Sequence, residues 1–235
     1  MNQKRNVLNI KIIYENEDFV LVNKPFGLSF HSEDGEGLVV KLTRQLGVEQ
    51  LYSVHRLDKM TSGLILFAKS SAIANSLTKL FEKREVQKFY LAISTRKPKK
   101  KQGWIKGDMG QARRGSYKFL TTNDNPAITQ FISSAGQVHE RYFLVKPHTG
   151  KTHQIRVALK SIGSPIAGDI RYAATEEAKK EQRGYLHAFA LQFTLKNKDY
   201  SFVCEPKEGE RYNSDEFKEQ LLLWQEPWKL FKEKK

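Results

Sequence analysis

The residues best suited to chemistry lie in one polar stretch, His55-Arg56-Leu57-Asp58-Lys59-Met60-Thr61-Ser62-Gly63, directly before the apolar run Leu64 to Ala68. A turn that feeds a buried strand holds its side chains on a rigid scaffold, where a functional group keeps its aim. This one offers a carboxylate, two cations and an imidazole. An ionised carboxylate can serve as nucleophile or base, and a nearby guanidinium favours its charged form. Taken alone, the stretch reads as a turn in which Asp58 bonds Thr61 and Ser62.

Other chemistries lack their parts. Gly150-Lys151-Thr152 ends like a phosphate-binding loop, but Val145 stands where that motif needs glycine. His31-Ser32-Glu33 matches half of a nucleobase deaminase signature, whose paired cysteines cannot occur in a chain with Cys204 alone. That single cysteine also excludes an intrachain disulfide and a multi-thiolate metal cage, and it fits a reducing cytosol. No dinucleotide fingerprint or nucleophile-elbow serine occurs, and the six histidines show no metal-ligand spacing. No metal and no cofactor are expected.

The elements that must position Asp58 are of both kinds. Ile10 to Tyr14 and Phe19 to Asn23 read as a hairpin, Leu38 to Leu46 as a helix stopped by Gly47, and Leu64 to Ala68 as a buried strand. Ile73, Leu77, Leu80 and Phe81 share one face of a serine-capped helix, followed by a strand from Lys88 to Ser94. Strands are expected at 127–133, 141–146, 185–195 and 200–204, with helices at 152–162 and 214–224 and a frayed end over 231–235. Between them, residues 96–118 carry nine Lys or Arg against one acid, Asp108, with Trp104 and Tyr117 interleaved. That segment reads as an exposed, partly mobile basic arm. With no repeat and no Gly/Ser-rich linker, one domain over residues 1–235 is the simplest organisation.

A net charge of +14 over 235 residues exceeds what solubility needs and favours a polyanionic partner, nucleic acid first. No run approaches the roughly 18 apolar residues of a membrane span. The start, Met1 to Arg5, shows no secretory signal, so a cytoplasmic protein is expected.

The Asp58 segment resembles the central motif of the RluA-type RNA pseudouridine synthases, and the likeness runs in order from about Ile12 to Pro206. Asn23-Lys24-Pro25-Phe26-Gly27 is similar to the family's opening loop, and Lys88-Phe89-Tyr90-Leu91-Ala92 to the segment with its active-site tyrosine. Gly150 to Val157 resembles the third motif, followed by Pro165 to Asp169 and Leu186-His187-Ala188. Each fragment is weak singly; the ordered set is not. Two positions depart from the pattern: Ala158 replaces a common histidine, and the usual His-Pro is absent after Phe193.

The resemblance implies an α+β pseudouridine synthase fold, with a bent, mainly antiparallel mixed sheet flanked by helices around a central cleft. It implies a cofactor-free isomerisation of specific uridines in structured tRNA or rRNA. Asp58 would be the nucleophile, Tyr90 would lie against the uracil, Arg156 would pair with the Asp58 carboxylate, and Leu186 would wall the pocket. The target must leave its stack to expose C1′ and C5, and Arg56 would fill the space left behind. His55 shares this motif with the substrate-binding residues, although structural hydrogen bonding is the role favoured for both His55 and His153. Lys97, Lys99, Lys100 and Lys101 of the arm would grip phosphates. The chain begins too near its first strand to hold the extra N-terminal RNA-binding domain of some relatives, and a monomer is expected. The alternative is a non-catalytic RNA-binding or RNA-folding protein on the same scaffold; a methyltransferase would need a glycine-rich cofactor loop.

Overall fold

A computed structural model describes residues 9–32 and 35–231. The Met1 to Arg5 stretch read for a secretory signal, Glu33, and all but Phe231 of the expected frayed end lie outside the described residues. Strand β1, Lys11–Glu15, pairs antiparallel with β2, Phe19–Lys24. Asn16 closes the turn, its Oδ1 accepting the amides of Asp18 at 3.0 Å and Phe19 at 2.8 Å. Helix α1, Leu38–Leu46, ends at Gly47, and the short β3, Tyr52–Ser53, leads to β4, Ser62–Ala68. Every β4 residue is buried, which is why its sequence shows no polar alternation. Helix α2, Ser71–Glu82, starts where the Ser70 hydroxyl accepts the Ile73 amide, and it buries Ile73 and Leu77. Strand β5, Gln87–Ser94, follows.

The basic segment differs from its sequence reading. It folds as β6, Gln102–Gly107, followed by the hairpin of β7, Met109–Gln111, and β8, Tyr117–Phe119. β6 pairs along its full length with β9, Ala127–Ala135, and buries Ile105 while exposing Lys106. The charge is concentrated ahead of β6, at 96–101, and hid the strand; Lys106, the one lysine on this edge strand, discourages pairing with another chain. The lone acid is also structural: Asp108 accepts the amides of Asp124 and Asn125, each at 2.8 Å, and the Thr122 hydroxyl at 2.7 Å.

Strand β10, Arg141–Pro147, is followed by α3, Gln154–Ser161, and α4, Thr175–Ala178. Strands β11, Leu186–Leu195, and β12, Lys198–Val203, precede three helices: α5, Glu210–Asn213, α6, Asp215–Leu222, and α7, Pro227–Leu230. The main sheet has ten strands in the order β1-β2-β4-β11-β5-β10-β9-β6, with β3 on β4 and β12 on β11. Among the described residues the β4–β11 pair alone is parallel. One apolar cluster packs β1, β2, β4, α1 and α2; a second packs β5, β9, β10, α3 and the C-terminal helices, and Tyr90 touches both. The seam between the clusters is where a cleft opens. Among the described residues no helix is long and apolar enough to cross a membrane.

Candidate active site

The loop before β4 is held from below. The Thr61 amide donates to the Asp58 carbonyl at 3.0 Å, and the Gly27 amide to the Lys59 carbonyl at 2.9 Å. Lys24, fully buried at the end of β2, donates from Nζ to the carbonyls of Pro25 at 3.0 Å and Lys59 at 3.2 Å. Burial, and then the charge of Arg183, bring its pKa down to about 7, against the opposing pull of Asp58. The opening loop and the Asp58 loop are thereby tied into one unit.

Behind this unit, Gly63 packs against β11 so closely that a Cβ would overlap the Ala188 carbonyl and lie 2.7 Å from its amide nitrogen, at a φ of +105°. Glycine is therefore required here. Beside it, Arg183 Nη2 donates to Ser62 Oγ at 2.6 Å, the Ser62 hydroxyl donates to His187 Nδ1 at 2.7 Å, and His187 Nε2 donates to the Cys204 carbonyl at 2.8 Å. Burial drops His187 to about 3, so it stays neutral in this chain of bonds.

The opposite wall comes from α3. Gln154 uses all its polar capacity: its Oε1 accepts from Thr149 Oγ1 at 2.6 Å and the Lys151 amide at 3.0 Å, while its Nε2 donates to the Ile128 carbonyl and Thr129 Oγ1, both at 3.0 Å. Two residues on, Arg156 donates from Nε and Nη2 to the two oxygens of Asp169, at 2.7 and 2.9 Å, and from Nη1 to Asp58 Oδ2 at 2.9 Å. This fork geometry is specific to arginine. Burial opposes the charge of Arg156, but the bonds and charges of Asp169 and Asp58 outweigh it and raise its pKa. Asp169 is fully buried and also accepts the Arg171 amide at 3.0 Å.

His153 caps α3 in a left-handed conformation, with Nε2 3.8 Å from Asp58 Oδ2 and Nδ1 2.9 Å from the Tyr172 hydroxyl. Tyr172 accepts the Tyr117 amide at 2.8 Å, so the β7–β8 hairpin braces this side of the site. Burial lowers the pKa of His153 against the pull of Asp58, with Arg156 and Arg171 adding to the drop.

Tyr90 stands on β5 between Val145 and Ala188, where β11 bulges before Ala190. Burial and then Asp58 raise its hydroxyl pKa, so it enters the site as a phenol. A cavity of about 590 Å³ unites Asp58, Tyr90, Arg156 and Leu186, with His55 and Arg56 at its edge. That volume lies within the usual range for a small-molecule or nucleotide site. His55 accepts the Leu66 amide at Nε2, 2.9 Å, and stacks on Phe81; burial and then Lys88 lower it to about 3. Lys97, Lys99, Lys100 and Lys101 are exposed where β5 passes to β6, at the end of those strands remote from Tyr90, and do not line the cavity. Sequence reasoning gave no role to Asp169, Gln154, Lys24 or Arg183. Lys24 and Asp169 stand in largely apolar stretches, which was a usable signal, whereas Gln154 and Arg183 lie among polar residues and offered none. Among the described residues no cluster of His, Cys, Asp or Glu could hold a metal ion.

Residues 18–161 match a family model described as RNA pseudouridylate synthase. A Haemophilus influenzae protein described as an uncharacterized RNA pseudouridine synthase is 44% identical over 218 residues, 92% of this chain and 96% of its own. The tRNA pseudouridine synthase C of Pasteurella multocida is 32% identical over 80% of this chain and 86% of its own. The solved structure of human RNA pseudouridylate synthase domain containing 1 aligns with a TM-score of 0.75 at 26% identity, covering 86% of this chain and 84% of that one.

Proposed function

The chain belongs to the RluA-type RNA pseudouridine synthases, and on that premise we propose that Asp58, Arg156 and Tyr90 isomerise a uridine everted from structured tRNA or rRNA. The observation that carries this reading is the 2.9 Å contact of Arg156 with Asp58, made by a guanidinium whose other edge is fixed on Asp169. Such a partner fixes the aim of the carboxylate while substrate excludes water.

The reaction breaks the N1–C1′ bond, turns the uracil, joins C5 to C1′, and moves one proton from C5 to N1. Atoms and electrons balance without an oxidant or co-reactant. Attack at C1′, attack on the ring and proton abstraction from the sugar all begin at the same carboxylate, which Asp58 supplies. Tyr90 offers a face for the uracil and a hydroxyl for the proton leaving C5. Leu186 closes the apolar side, and Arg56, exposed at the rim, takes the place of the everted base. His55 holds the loop through the Leu66 amide. Lys97 and Lys99 to Lys101 are assigned to RNA flanking the target, outside the cleft.

We also assign catalysis to the one domain built on the ten-stranded sheet, and the protein to the cytoplasm, where its single buried, free Cys204 stays reduced. Pseudouridine mapping of tRNA and rRNA from cells with the gene, without it, and with Asp58→Ala in its place tests the assignment. At least one site is expected to disappear in both mutant strains. An unchanged map would reject the reading.

A further inference from the structure

Lys88 lies two residues before Tyr90 on β5, about 7 Å along the strand on the same face. Its half-buried side chain lines the cavity: a Cβ on Gly150 would come within 3.9 Å of Nζ, and the ammonium stands 5.9 Å from the centre of the Phe81 ring. Among the described residues no carboxylate or hydrogen-bond acceptor reaches it. The contrast with neighbouring cations is direct, since Lys24 has two carbonyls and Arg156 two carboxylates. A cation partly withdrawn from water, with an aromatic ring but no anion or carbonyl beside it, is left under-compensated until a ligand supplies the missing anion.

The surroundings favour an anion over a neutral oxygen. His55, Glu82 and Arg84 from the loop and helix on one side, and Lys151 from the loop on the other, line the same cavity as Lys88. The lining holds Arg56, Arg84, Lys88, Lys146, Lys151 and Arg156 against Asp58 and Glu82 alone. Resting on the function proposed above, we propose that Lys88 and the open space beside Gly150 form a subsite for one RNA backbone phosphate flanking the everted uridine. The glycine leaves room for the phosphate, and the strand fixes its distance from the base held by Tyr90. Burial holds the ammonium at about 8, so the free protein loses this charge as pH rises past that value. Binding should weaken in the same direction.

The test is single-turnover tritium release from C5-labelled tRNA and rRNA taken from cells lacking the gene, with half-saturation followed against KCl and pH. Lys88→Gln should raise half-saturation about tenfold at low salt and change the saturated rate by less than about threefold. It should also flatten the slope of log affinity against log salt by about 0.7 to 0.9, the signature of one lost phosphate contact. Lys88→Arg should restore the slope and abolish the weakening between pH 7 and 9. Lys88→Met should melt no lower than the parent, because relief of the half-buried ammonium offsets the loss of its contact with the Phe81 ring. A weaker affinity with an unchanged salt slope would mean a contact to a base carbonyl and overturn the phosphate subsite. So would an unchanged half-saturation or a lower melting temperature for Lys88→Met. If the unmutated chain releases no tritium from either RNA, the proposed function itself fails and this inference falls with it.

Discussion

Arg156 and Asp169 form a buried two-bond fork, Nε and Nη2 against the two carboxylate oxygens at 2.7 and 2.9 Å, which leaves Nη1 turned toward Asp58. The fork converts a flexible arginine into a fixed donor, because rotation at the guanidinium would break both bonds together. Asp169 is fully buried, does not line the cavity, and meets it through Arg156.

Replacing Asp169 by alanine should therefore harm both folding and turnover. A buried guanidinium left with one carboxylate costs on the order of 3 kcal/mol. Thermal melting and tritium release measure the two effects, and Arg156→Lys, which keeps the charge without the fork, should lower the saturated rate while melting closer to the parent. Full activity in Arg156→Lys would show that charge alone suffices.

Tyr90→Phe separates stacking from proton transfer. Because burial and Asp58 keep the hydroxyl protonated, its loss should lower the saturated rate on the order of 100-fold with RNA affinity nearly unchanged. Tyr90→Ala should weaken binding as well. Equal rates for the parent and the phenylalanine variant would assign Tyr90 to stacking only.

Gly63→Ala tests the close approach of β4 and β11. The added methyl overlaps the Ala188 backbone in a left-handed conformation, so a loss of about 3 kcal/mol or more is expected by urea unfolding. A near-normal midpoint would mean that the parallel pair separates easily.

Acid should destabilise the fold through two histidines. His55 and His187 each titrate near 3 in the folded chain, against an ordinary 6.5, so the unfolded chain binds more protons between those values. Their stabilisation is complete above pH 6.5 and is lost as pH falls, by about 1.4 kcal/mol per pH unit for each histidine. Urea titrations at pH 4.5, 5.5 and 6.5 measure the slope. His187→Gln should remove one proton's share of it, and an unchanged slope would contradict a neutral His187.

Long-period features were legible in the sequence and long-range ones were not. The all-buried β4, the Ser70-capped α2 and the Gly47 stop of α1 follow from local pattern, and each appears where that pattern puts it. The strands within 96–118 were not legible because the charge is concentrated at 96–101 and 113–114, between paired strands, and pairing of β6 with β9 is a contact that local charge does not encode. Helix α3 starts at Gln154 rather than Thr152, because His153 adopts a left-handed conformation to reach Tyr172 and approach Asp58. Asp58 and Arg156, 98 residues apart, came together in the reading only through an ordered set of motifs. No periodicity could have supplied the third member, Asp169.

The central claim is that the Asp58 carboxylate does the chemistry and is not needed to hold RNA. Single-turnover tritium release from C5-labelled uridine in RNA bound by Asp58→Asn, a substitution that keeps size and removes charge, tests it most directly. Release should fall to background while the bound fraction matches the parent chain. Release at the parental rate would contradict the account.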